Sequence, residues 1–204
     1  MEPSDIADAI GSEDEARQVL AAAEFRRLTG IYLGIVAMLL AITTLGGSNA
    51  TKVMLNANIQ ASDTYGYYQS KAIRQTSYRL AADQLDALIA AEPGMPPAAR
   101  VRFGDMATHW RATADRYQSD PASGRGLTEL LASARNWEAL RDRAARRDPN
   151  FDFAAALFQI AIVLGSVAIV AASRPLVKLS GGLALLGTLL MVNGYFLLVQ
   201  LPLE

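Results

Sequence analysis

The chain has 204 residues, 51% of them hydrophobic, and its 19 basic side chains stand against 20 acidic ones for a formal net charge of −1. That balance, with no Lys-rich or Arg-aromatic run, leaves no electrostatic footprint for nucleic acid and excludes it as an expected partner. The absence of cysteine excludes disulfides, thiolate metal sites and thiol catalysis.

Residues 1–29 read as an acidic N-terminal segment followed by the start of a helix. Glu2, Asp5, Asp8, Glu13, Asp14 and Glu15 oppose a secretory signal, whose n-region is basic, so the first apolar run is expected to stay as an anchor. Ser12 with Glu15 three positions on has the form of a capping box and predicts a helix opening at about Glu13.

Three runs lack charged side chains: 30–47, 153–172 and 179–201. A hydrocarbon core of about 30 Å needs about 20 helical residues, so each run predicts a transmembrane helix. Gly30, Gly34, Ala37 and Ala41 set small residues along one stripe of the first, as Ala161 and Gly165 do in the second. Such stripes let backbones approach closely, which makes these six the candidates for membrane-helix packing. Gly46-Gly47 offers a break at the end of the first span. The few polar residues within the runs, Thr43, Thr44, Gln159, Ser166, Thr188 and Asn193, suit hydrogen bonds between helices better than an ion relay, because none is ionisable.

Residues 48–152 are polar and dominated by helix formers, with no period-two alternation. They predict a helical extramembrane domain with helices at about 52–90, 98–118 and 127–147, divided by Glu92-Pro93-Gly94 and by Asp120-Pro121. Phe103, Met106, Trp110 and Tyr117, and then Leu127, Leu130, Ala134 and Trp137, recur at helical spacing as faces to bury. The first helix shows only a thin stripe through Leu55, Ile59, Ile73 and Leu80, so it needs partners, either the returning helices or copies of itself.

Residues 173–178 allow only a tight reversal, which makes the last two spans a hairpin. Arg26 and Arg27 before the first span and Arg174 and Lys178 in this loop fall on one side. The positive-inside rule then places the N-terminus in the cytoplasm and residues 48–152 with the C-terminus outside. Arg141, Arg143, Arg146 and Arg147 oppose that orientation, though long translocated domains obey the rule weakly.

No catalytic, cofactor or metal constellation is present. His109 and Asp105, four residues apart, make at most an ordinary helical pair. The distinctive segment is Ala61 to Leu80, where Asp63, Tyr67, Tyr68, Gln69, Lys71, Arg74 and Tyr78 are the interface candidates, Tyr and Arg being common anchors, with an aromatic belt at headgroup depth and plain core packing as the alternatives; Arg74 could stack on Tyr78. Through Asp63, Tyr67, Tyr68, Gln69, Lys71, Ile73, Arg74 and Tyr78, and through Phe151-Asp152-Phe153, the chain resembles a bacterial family of integral membrane proteins known as domain of unknown function four-three-three-seven. The resemblance covers most of the chain and implies the same layout, with no activity or ligand.

The expected fold is thus an all-α membrane protein: one N-terminal and two C-terminal transmembrane helices, with a long helical extramembrane hairpin between the first and second. The expected role is non-enzymatic and cofactor-free, an oligomeric scaffold or accessory subunit of a membrane assembly in the bacterial inner membrane. Its expected partners are lipid and either copies of itself or a larger complex. Two alternatives remain compatible with the sequence: an oligomeric channel lined by Thr43, Thr44, Asn49, Asn56 and Asn58, and a membrane sensor.

Overall fold

The computed structural model describes the backbone of residues 3–199 and the side chains of residues 17–199. Among the described residues there are five helices and no strand: α1 (Pro3–Ala91), α2 (Pro97–Gln118), α3 (Leu127–Ala145), α4 (Asp148–Val170) and α5 (Arg174–Phe196). The chain divides into two compact units, Met1–Lys52 with Ala144–Glu204, and Val53–Arg143.

Several boundaries differ from the expected ones. α1 starts at Pro3, ahead of the proposed capping box, whose side chains lie outside the described residues; proline suits a first helical position because its missing N–H would be unpaired there anyway. α1 also continues through Gly46-Gly47 as one helix of 89 residues. α4 opens at Asp148 and α5 at Arg174, each with a proline at N1 or N2, so both start about five residues before their uncharged runs. The reversal between them shrinks to Ala171–Ser173, with Ala172 at φ 47°. α5 stops at Phe196 because Leu197 turns left-handed and Asn193 grips the chain beyond, its Oδ1 accepting from Val199 N at 2.8 Å and its Nδ2 donating to Val199 O at 2.9 Å. Residues 200 and 201 of the expected third span lie outside the described residues.

In the first unit α4 and α5 run antiparallel. Ala161, Gly165 and Ala168 are buried on α4, and Ser180, Ala184 and Gly187 on α5. Val36 of α1 joins Ala154, Phe158, Ala161 and Ala184 in the core, flanked by Tyr32, Leu39, Leu40, Leu183 and Leu190. The outer surface is also apolar: Ile35, Met38, Ile160, Val163, Leu185 and Leu189 are all exposed. Segments long and apolar enough to cross a membrane lie within Arg17–Ala91, Leu127–Val170 and Arg174–Phe196.

The tightest packing surrounds Phe151. A Cβ at Gly46 would lie 2.7 Å from its ring, and one at Gly194 would lie 2.9 Å away, distances that no side chain tolerates. The double glycine therefore serves as a seat for an aromatic ring, and α1 stays helical through it. Tyr195 meets the same ring edge-on at 4.9 Å and donates to Ile42 O at 3.1 Å.

In the second unit the inward face of α1 follows alternating spacings of three and four: Met54, Ala57, Ala61, Thr64, Tyr68, Lys71, Gln75, Tyr78, Ala82, Leu85 and Ile89, all buried or half-buried. That is the seam of a left-handed coiled coil. Gln75 Nε2 donates to Ala114 O and Gln118 Oε1, at 3.2 and 3.0 Å. Arg111 pairs with Asp83 and Asp86, and Lys71 donates to Arg125 O. These pairings run α2 and then α3 antiparallel beside α1. Phe103, Met106, Trp110 and Tyr117, with Leu127, Leu130, Ala134 and Trp137, are all buried or half-buried.

Candidate functional site

The aliphatic stripe that the sequence suggested as α1's packing face points the other way. Leu55, Ile59, Ile73 and Leu80 are 54%, 56%, 67% and 57% exposed, while alanines and tyrosines take the seam. The reason is volume. Ala57, Ala61 and Ala82 of α1, Ala107 and Ala114 of α2 and Ala134 of α3 are all buried, and small side chains at such positions permit a closer helix approach than branched ones.

The Tyr-rich segment is split by the same seam. Tyr68, Lys71 and Tyr78 turn inward, whereas Asp63, Tyr67, Gln69 and Arg74 are exposed. The expected stacking of Arg74 on Tyr78 does not form: Tyr78 stacks on Tyr117, with ring centroids 5.9 Å apart. The cation over the rings is Lys71, whose Nζ lies 5.5 Å from the centroid of Tyr67 and 5.4 Å from that of Tyr117. Arg74, Ser77, Tyr78, Ala81, Trp110 and Tyr117 line an open groove of about 490 Å³.

Several polar and charged groups of the second unit are held by specific partners. Glu129 accepts from Ser119 Oγ at 2.7 Å and from Asp120 N at 3.2 Å, and the Ser119 bond leads in holding its carboxyl below the usual range. Asp120 is held low chiefly by Ser123. Gly126 is required here, since any Cβ would collide with Glu129 and with the backbone of Asp120. Arg111 is held further above its usual value by Asp86 and then Asp83. Loss of water contact, followed by a hydrogen bond to Glu138, raises the Tyr65 phenol. No group of three or more His, Cys, Asp or Glu capable of holding a metal occurs among the described residues. Asp105 and His109 are both exposed.

Within the first unit the predicted packing residues separate into two sets. Ala161 and Gly165 are buried, and a Cβ on Gly165 would collide with Leu33. Gly30, Gly34, Ala37 and Ala41 face outward, and nothing lies within 4 Å of a Cβ built on either glycine. Polar bonding between helices falls to Ser180, a member of the small-residue stripe that the sequence offers in the third run, and to Asn193, one of the polar residues expected to bond between helices. Ser180 Oγ donates to Ala161 O at 2.6 Å and receives the Tyr32 hydroxyl at 2.8 Å, and Asn193 Nδ2 donates to Asn150 Oδ1 at 2.8 Å. Thr43, Thr44, Ser166 and Thr188 instead bond to carbonyls four residues back on their own helices. Thr43 is fully buried, so it faces its own unit; of the residues expected along a channel, Thr44, Asn49, Asn56 and Asn58 are exposed.

A family model described as Domain of unknown function (DUF4337) matches residues 25–197. The chain belongs to that family. The DUF4337 match takes in all of α2 to α5 and both residue groups that carried the resemblance, the Tyr-rich segment and Phe151-Asp152-Phe153. No curated protein and no solved structure matches the chain.

Proposed function

We propose that this DUF4337 chain is a non-enzymatic integral membrane protein of the bacterial inner membrane, acting as an oligomeric scaffold or accessory subunit. In this reading the apolar part of α1, with α4 and α5, crosses the bilayer. Val53–Arg143 forms a long helical hairpin outside it, and the N-terminus and the α4–α5 turn are cytoplasmic. The apolar outer surface of the first unit supports the membrane assignment, because water would be a poor solvent for it. Arg26, Arg27, Arg174 and Lys178 at one end support the orientation. On the opposing side, Arg141 is partly neutralised by Asp142, 2.9 Å away.

The observation that carries the scaffold reading is the exposed stripe Leu55, Ile59, Ile73 and Leu80. Full burial of each side chain is worth about 1.5–3 kcal/mol, and most of that gain is still unrealised in the single chain. A second copy supplies the covering surface, with the outward Tyr67, Gln69 and Arg74 beside the stripe. Native mass spectrometry in mild detergent is expected to show an oligomer, and Ile59→Gln combined with Ile73→Gln and Leu80→Gln is expected to shift it toward monomer without loss of helix content. A wild-type protein that is solely monomeric, with no copurifying protein, overturns this reading.

A further inference from the structure

Gln159 is the twelfth of the 23 residues of α4, so about 16 Å of helix separates it from either end. In a spanning α4, the reading on which this inference rests, it stands six residues, about 9 Å, inside the uncharged run that opens at Phe153, so its amide lies within the hydrocarbon. A glutamine side chain is too short to reach either headgroup layer from there. The residue is on the outer face of the unit and has no hydrogen-bond partner among the described residues. It is an exception: Ser166 and Thr188 are satisfied by their own helices, and Ser180 and Asn193 by neighbouring ones. An amide left unpaired in hydrocarbon costs several kcal/mol.

We propose that α4 meets α4 of a second copy at Gln159, the two amides bonding reciprocally. Three features favour a copy of this chain over another membrane subunit. A primary amide is donor and acceptor at once, so it is complementary to itself about a two-fold axis. Copies inserted in the same direction bring residues of equal depth together, so Gln159 meets Gln159 without any further adjustment. The flanking positions of the same exposed face, Ala156, Val163 and Ser166, are small or slender and let the helices approach.

The cysteine-free chain allows a direct test in lipid nanodiscs or native membranes. Gln159→Cys is expected to give a disulfide-linked dimer under mild oxidation, and Leu189→Cys, on the exposed face of α5, is expected to give little. Gln159→Leu is expected to weaken association in lipid by about three- to twentyfold, the range measured for interhelical side-chain hydrogen bonds, and Gln159→Asn to restore part of it. No crosslink at 159, or a Leu variant that associates like wild type, overturns the proposal. Ile59→Cys separates it from the scaffold reading: crosslinking at 59 without 159 leaves the outer stripe as the interface and removes α4, whereas neither crosslinking removes both.

Discussion

At the residue scale, glycine has two distinct meanings in α1. At Gly46 the Phe151 ring occupies the space of a side chain, whereas a Cβ on Gly30 would meet no packing neighbour within 4 Å among the described residues. Gly46→Ala is therefore expected to destabilise the first unit by about 1–3 kcal/mol, the usual cost of overpacking. Gly30→Ala is expected to leave the single chain's stability unchanged or to raise it by up to about 1 kcal/mol, since alanine favours the helix. Reversible unfolding of both variants in the same detergent measures the difference; equal stability would remove the ring-seat account. The pairing of Phe151 with Gly46 across about a hundred residues could not be read from the sequence. Phe151 was singled out there only by resemblance, and Gly46-Gly47 suggested a break because glycine weakens an isolated helix.

At the element scale, the α2–α3 junction depends on two ionised carboxylates. Asp120 and Glu129 are both held below their unfolded values by hydrogen bonds. Their contribution is fully present above the ordinary carboxylate range, near pH 4, and disappears as pH falls through the lowered native values. Hydrogen exchange at the Asp120 and Ser123 amides, corrected for intrinsic rates, is expected to accelerate below about pH 4. Glu129→Gln is expected to abolish that dependence at Asp120, and unchanged protection at low pH would refute it. The helices themselves were legible: α2 and α3 begin within a residue of their expected starts, because Pro93, Pro96, Pro97 and Pro121 leave few alternatives. The face that α1 buries was not legible. Hydrophobicity alone favoured the aliphatic stripe, whereas close approach favoured the alanines.

At the scale of the whole molecule, orientation is the property most open to test. Gln84 and Ser173 each accept a single cysteine in a chain that has none. Gln84→Cys is expected to react with a membrane-impermeant maleimide on intact spheroplasts, and Ser173→Cys only after the membrane is opened. The reverse pattern would invert the orientation and implicate the arginines from 141 to 147 as the cytoplasmic signal.

The sequence by itself determined the helical class, the three apolar segments, the punctuation of α2 and α3 and the family, because those properties follow from local composition, proline and glycine placement and short motifs. Tertiary structure alone decided which face each helix hides. Leu55 and Ile59 turn outward while Ala57 and Ala61 turn inward, Gly34 stands free while Gly165 is packed, and Gln159 is left bare while Ser180 is bonded. In none of these pairs does the local signal settle the outcome, which depends on the volume and hydrogen-bonding capacity of the helix packed alongside.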